Sequence, residues 1–200
     1  MGALDPVLRQ LTLANQLTLL RLAAVPLLAL ALLEGSVAVA LAIYVGAALT
    51  DLLDGIAARR VGKPTALGAF LDPAADKLMM VTVFVTLALP DNPRAFPAFE
   101  LWHHVPPWLT LLVVARDVLI VLVAAGFYFA YGVSRFPPSR ISKWNTALEM
   151  VTGGLFLLAN VWSAVPAGLL HVAAIGTAAI IVASGVAYLL RTRRWLRQSP

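Results

Sequence analysis

The sequence predicts an all-α, polytopic integral membrane protein with six transmembrane helices and both termini in the cytoplasm. Three observations carry this. Hydrophobic residues make up 60% of the 200 residues and charged residues 12%, against roughly 45–50% and roughly 25% in soluble proteins. A soluble domain of this length has too little interior to hide that much apolar surface. Six apolar runs come close to or exceed the about 20 residues needed to cross a bilayer, and the breaks between them carry turn or charge chemistry. The same composition excludes a disordered chain. There is no cysteine, which removes disulfides, zinc–thiolate sites and cysteine nucleophiles.

One membrane domain is expected over 1–200: an N-terminal interfacial segment (1–16), a six-helix bundle (17–190) and a basic cytoplasmic tail (191–200). The first span is read at 17–33 and ends at Glu34-Gly35-Ser36. The second runs over 36–57 and ends in the basic stretch Arg59-Arg60-Val61-Gly62-Lys63-Pro64. The third covers 67–89 and is followed by a polar loop, Pro90 to Pro106, with four prolines. The fourth covers 107–131, and a basic break from Ser134 to Lys143 contains Pro137-Pro138. The fifth and sixth occupy 144–161 and 165–190. There is no signal or transit pattern before the first run, no internal repeat and no soluble domain.

Orientation follows from the basic residues. Twelve of the fifteen Lys and Arg fall on one side: Arg9, Arg21, Arg59, Arg60, Lys63, Arg135, Arg140, Lys143, Arg191, Arg193, Arg194 and Arg197. The opposite loops hold only Arg94, and Lys77 and Arg116 lie inside spans. The net charge of +5 is therefore topological. A nucleic-acid partner would need a basic face or a binding motif, and none is present. Trp102, Trp108, Trp162 and Trp195 sit near span ends, as an interfacial aromatic belt does.

Ionisable residues within spans are costly and mark functional sites. Asp51 and Asp54 are three apart near the cytoplasmic end of span 2; Asp72 and Asp76 are four apart in the first half of span 3. Each pair shares a helix face. A short basic loop joins the two spans, so they are expected to be antiparallel neighbours whose four carboxylates meet at one depth. Four carboxylates in apolar surroundings need compensation, and Lys77 and Arg59 supply too little. Divalent cations with all-oxygen ligands, Mg²⁺, Mn²⁺ or Ca²⁺, answer the need. Gly55 and Ala58 continue the Asp51 stripe, with Arg59 following, and Gly68 opens the Asp72–Asp76 stripe. These small residues serve close helix packing or leave room for a flat ligand. Arg59 is either a phosphate fork or a topological anchor.

Together these residues read Asp51-x-x-Asp54-Gly55-x-x-Ala58-Arg59, eight residues, Gly68-x-x-x-Asp72-x-x-x-Asp76. At this point the sequence resembles the CDP-alcohol phosphotransferases, at all eight signature positions and over nearly the whole chain. The resemblance implies an enzyme that moves a substituted phosphate from a CDP-linked donor to an alcohol hydroxyl and releases CMP. It implies that Asp51, Asp54, Asp72 and Asp76 hold two Mg²⁺ or Mn²⁺ ions, and that Asp76 is the general base. Asp51, Gly55, Ala58, Arg59 and Gly68 would then face the CDP diphosphate. Such chemistry is mostly positioning and charge neutralisation, and no residue suggests a covalent intermediate. Asn15, Thr18 and Arg21 resemble the family's opening element, a possible lipid or diphosphate contact, with Ala14 where the family has Pro. They read equally as a helix cap and interfacial anchor.

Acceptor choice is expected from Arg116 and Asp117 in span 4, Arg135, Arg140 and Lys143 before span 5, and Asn145 and Thr146 within it. A buried Arg needs a partner. Asp117 is adjacent and points about 100° away, so a ligand phosphate is the expected partner of Arg116. Ser142-Lys143-Trp144-Asn145-Thr146 and Arg116-Asp117 look more like the eukaryotic-type cardiolipin synthases than the phosphatidylglycerophosphate synthases, which show a second Lys. The favoured reaction is thus transfer of the phosphatidyl group from CDP-diacylglycerol to phosphatidylglycerol. A glycerol-3-phosphate acceptor is the alternative, and an inositol-type acceptor comes third. Rival classes are a cation channel or carrier, an aspartate-rich prenyltransferase and a membrane scaffold. The family resemblance also implies a homodimer. With no presequence, a bacterial inner membrane is favoured over a mitochondrial one, with the site near the cytoplasmic face.

Overall fold

The computed structural model describes residues 13–61, 66–131 and 140–198; the side chains of 13–15, 52–61, 66–73, 123–131, 140, 142–143 and 188–198 lie outside that description. The described residues form six helices: α1 (Leu13–Leu33), α2 (Val37–Val61), α3 (Ala66–Ala88), α4 (Pro107–Tyr131), α5 (Arg140–Val161) and α6 (Ala167–Gln198). No strand occurs among them. Gln16–Leu33 in α1 and Ala167–Ala187 in α6 are long and apolar enough to cross a membrane.

The helices are those expected, with longer basic ends. The second helix runs through Arg59 and Arg60 to Val61, where a break was expected. The fifth begins at Arg140, before the predicted start. The last continues through the basic tail to Gln198. Arg and Lys are good helix formers, so leaving the apolar stretch does not end a helix. At 1.5 Å per residue, the 32 residues of α6 span about 48 Å.

Polarity is distributed opposite to that of a soluble protein. Leu20, Leu27, Leu30, Leu111, Val121, Leu122 and Val172 are exposed, while Thr18, Arg21, Arg116, Asn145, Glu149 and Thr177 are buried. Large apolar residues outside and polar residues inside is the arrangement a bilayer selects, because lipid cannot satisfy polar groups. The apolar core joins Leu28 and Leu32 of α1, Tyr44 of α2, Val83, Phe84 and Leu87 of α3, Leu109 and Val113 of α4, and Phe156 and Leu157 of α5.

Among the described residues α1 packs against both α2 and α3, and α3 also meets α4 and α5. Among the described residues α2 and α3 have α1 and α5 as common neighbours. Gly153 and Gly154 bring α5 close to α2. A Cβ on Gly154 would stand 3.2 Å from the Tyr44 ring, and one on Gly153 3.3 Å from Val83. Across this contact the Tyr44 hydroxyl donates to the Met150 carbonyl at 2.8 Å.

The end of the bundle remote from Asp76 is closed by two devices. Helix α1 stops in a Schellman motif, with Ser36 N donating to Ala31 O at 2.7 Å and Gly35 N to Leu32 O at 2.9 Å. Gly35 has φ +74°, and a Cβ there would stand 2.2 Å from the Ala98 carbonyl oxygen. The segment 90–106, expected as a polar loop, puts Phe99, Leu101 and Val105 into the core. Asn160 fastens it: its Oδ1 accepts from His103 N at 3.0 Å and its Nδ2 donates to His103 O at 2.8 Å.

Candidate active site

Asp51 on α2 and Asp76 on α3 converge on one cation. Arg21 of α1 donates from Nη1 to Asp76 Oδ1 at 2.6 Å, and its Nη2 lies 3.1 Å from Asp51 Oδ1. The guanidinium is enclosed, whereas the Asp51 and Asp76 side chains are 45% and 33% exposed. Arg21 thus sits behind the two carboxylates, and all three side chains line a small cavity of about 80 Å³. Tyr44, Ala47, Met79, Thr146 and Met150 line its other walls.

This placement changes the reading of Arg21. As an interfacial anchor it would be exposed; it is 3% exposed. It is also not one of the loop charges that fix orientation. Compensation for the aspartates was sought in Lys77, Arg59 and metal ions, and Arg21 was missed as a partner. A lone Arg inside an apolar run was the available signal, since such a residue needs an acid inside the bundle. Thr18, one turn before it, is fully buried.

Asp54 and Asp72 follow and precede this pair by one helical turn, on α2 and α3 respectively. The side chains of Asp54, Gly55, Ala58, Arg59, Gly68 and Asp72 lie outside the described residues, as does that of Asn15. The two described carboxylates fit a divalent cation by donor chemistry. Both are hard oxygen donors, they come from two helices, and they approach one small volume that a single positive charge already serves.

A second charged cluster lies on the next side chain of α3. Lys77 Nζ donates to both Asp117 oxygens of α4, at 2.5 and 2.6 Å. Arg116 Nη1 donates to the same Asp117 Oδ1 at 2.7 Å. Glu149 of α5 is fully buried, with Oε2 4.0 Å from Lys77 Nζ and Oε1 accepting from Asn145 Nδ2 at 2.5 Å. Two basic and two acidic side chains meet here. The expectation that Asp117 points away from Arg116 fails because the long guanidinium side chain folds back to its neighbour. Arg116 therefore has a protein partner where a ligand phosphate was expected.

Of the residues expected at the acceptor, Thr146 lines the cavity beside Asp51 and Asp76, and Arg116, Asp117 and Asn145 belong to the second cluster. Arg135 lies outside the described residues, as do the side chains of Arg140 and Lys143. Sequence reasoning weighs Lys77 only as a counter-charge for the aspartates and gives Glu149 and Tyr44 no role. The signal for the first two was their position: an unassigned charge inside a span requires an opposite one.

Comparison with known proteins agrees with the motif. The family profile described as CDP-alcohol phosphatidyltransferase matches residues 11–190. Human cardiolipin synthase (CMP-forming) is 32% identical over 170 residues, covering 76% of this chain and 52% of the human protein. A probable phosphatidylglycerophosphate synthase of Mycobacterium tuberculosis is 34% identical over 192 residues, covering 91% of this chain and 82% of the relative. A CDP-diacylglycerol–glycerol-3-phosphate 3-phosphatidyltransferase of Arabidopsis thaliana, chloroplastic/mitochondrial, is 35% identical over 179 residues, 82% of this chain and 58% of that protein. The chain spans about half the length of the human relative.

Proposed function

The chain belongs to the CDP-alcohol phosphatidyltransferase family, and from that premise we propose that it transfers the phosphatidyl group of CDP-diacylglycerol to an alcohol hydroxyl, releasing CMP. The observation that carries this is the convergence of Asp51 and Asp76, two members of the signature, on one buried guanidinium at a cavity edge. The channel, prenyltransferase and scaffold readings have no comparable support.

Asp51, Asp54, Asp72 and Asp76 would hold two divalent cations, Mg²⁺ or Mn²⁺. When bound, such ions neutralise a diphosphate and stabilise charge on the attacking and leaving oxygens. The Asp76 carboxylate takes the proton of the acceptor hydroxyl, which must lie within hydrogen-bond reach. Arg21 holds that carboxylate in place from behind. Gly55, Ala58, Arg59 and Gly68 would serve the cytidine and diphosphate, together with Asn15, Thr18 and Arg21. Arg116, Arg135, Arg140, Lys143, Asn145 and Thr146 form the acceptor side, where Asp117 holds Arg116.

The favoured acceptor is phosphatidylglycerol. In support, the positive charge of Arg116 is already matched by Asp117, so the cluster suits a monoanionic phosphodiester better than a dianionic phosphomonoester. The similarity to human cardiolipin synthase points the same way. The near full-length similarity to a probable phosphatidylglycerophosphate synthase favours the second reading, a glycerol-3-phosphate acceptor. The setting is a six-span homodimer in a bacterial inner membrane, termini and site toward the cytoplasm; the polar interior and apolar exterior of the bundle support the membrane.

Purified protein in detergent, given CDP-diacylglycerol and Mg²⁺ or Mn²⁺, tests this. CMP release with phosphatidylglycerol but not glycerol-3-phosphate is the expected result. Release with glycerol-3-phosphate alone replaces the acceptor and leaves the donor reading intact. No release with either acceptor overturns the proposal.

A further inference from the structure

Asp76 and Lys77 are consecutive residues of α3, so their side chains leave the helix about 100° apart. Each is caught by an ion pair on a different neighbour. Asp76 meets Arg21 of α1 at 2.6 Å, and Lys77 meets Asp117 of α4 at 2.5 Å. The rest of α3 is apolar around most of its circumference. Between helices in lipid no hydrophobic force selects one rotation over another, and polar contacts and close packing decide. The two ion pairs grip one turn of α3 from two sides and so fix its angle about its own axis.

We propose that Lys77 is a positioning residue, setting through Asp117 the rotation of α3 that aims Asp76 at Asp51 and Arg21. Glu149 backs this pair. It is fully buried, its Oε1 is held by Asn145, and its Oε2 makes no hydrogen bond and faces Lys77 Nζ at 4.0 Å. It keeps the ammonium group between two carboxylates. The proposal rests on the reading of Asp76 given above, and its test includes a measurement that needs no turnover.

The full-length chain and its Lys77→Met, Lys77→Arg, Asp117→Asn and Lys77→Met/Asp117→Asn variants are compared in detergent. CMP release gives kcat and KM, and the electron paramagnetic resonance of free Mn²⁺ gives cation binding. Lys77→Met is expected to lower kcat by about tenfold or more and to weaken Mn²⁺ binding by about fivefold, since misplacement of about 1 Å costs up to ~100-fold in rate. The KM for CDP-diacylglycerol stays within about twofold, and Lys77→Arg keeps at least about a third of kcat. The double variant falls no further than Lys77→Met, because both residues act through one pair.

Unchanged kcat and Mn²⁺ binding in a monodisperse Lys77→Met protein overturns the proposal. So do losses that multiply in the double variant, or a rise confined to the acceptor KM, which marks a direct acceptor contact. If Lys77→Met aggregates, the double variant, which leaves Arg116 and Glu149 in balance, decides by its Mn²⁺ binding. A wild-type protein that binds Mn²⁺ without releasing CMP refutes the enzymatic reading alone, and the Mn²⁺ comparison still decides on Lys77. A wild-type protein that binds no Mn²⁺ refutes both.

Discussion

Asp76 and Lys77 are chain neighbours, yet they open onto two charged regions built on opposite plans. Around Asp76 the cation is buried and the acids are half-exposed: Arg21 is enclosed while Asp51 and Asp76 look onto a cavity. Around Lys77 the acids are enclosed: Glu149 is fully buried and the Asp117 side chain is 12% exposed. The first region carries more acid than base and leaves carboxylate oxygens at a surface. The second matches its acids with as many basic side chains and encloses the acids, while the Lys77 side chain is 35% exposed. An exposed excess of acid can bind a cation, whereas acids enclosed against basic partners hold helices in place. Desolvating charges is expensive in either case, so the two plans mark two uses.

That contrast can be broken by substitution. The largest effect is expected for Asp76→Asn, which removes the proposed base and should cut CMP release by about 100-fold or more while the protein elutes unchanged from a sizing column. Equal activity in this variant would remove Asp76 from the chemistry. Next comes Arg21→Met. Losing the buried cation should lower kcat about tenfold, and it should make thermal stability depend on added Mg²⁺ more than in the parent. A melting temperature indifferent to Mg²⁺ would show that Arg21 and a cation do not serve the same carboxylates.

Substitutions at the far end sharpen the comparison from the other side, by changing stability without touching turnover. Gly35→Ala forces a Cβ onto a left-handed residue, at about 1–2 kcal/mol, and onto the Ala98 carbonyl as well. Its melting temperature should fall by several degrees with kcat intact below the transition. Asn160→Leu leaves the His103 N–H and C=O without their partner, at about 1–3 kcal/mol for a buried group, again with kcat retained. The smallest effect is expected for His104→Ala. It loses only the 3.4 Å contact with Asp91, a partly exposed pair of the kind that contributes little, and should match the parent in melting temperature.

Much of this plan was legible in the residues themselves. Hydropathy located all six helices, because each carries a long apolar run that a local reading of the sequence can find. The spacing of the aspartates grouped Asp51 with Asp76, since helical periodicity is a local property, and these two do converge on Arg21. What could not be read was which helix stands beside which. Nothing local says that α1 lies against both α2 and α3, and only that placement turns Arg21 from a flanking charge into the partner of two aspartates. The partner of Arg116 was hidden for a different reason. The 100° rule places Cβ atoms, and a guanidinium on a long flexible stem reaches well past its own Cβ. Phe99, Leu101 and Val105 were hidden by composition, because a loop with four prolines reads as solvent-facing until these three apolar residues find the core.

The overrun of α6 gives the bundle two unequal ends. For a chain that crosses a bilayer, the segment Ala167–Ala187, about 32 Å long at 1.5 Å per residue, matches a hydrocarbon core of about 30 Å. The rest of the helix projects beyond it as a stiff, basic rod. The opposite end is pinned by Gly35, Phe99 and Asn160 and has little room to slide. In such a chain a thicker or thinner membrane does its work on the end where the rod emerges, the end opposite Gly35 and Asn160, at a fraction of a kcal/mol per ångström of mismatch.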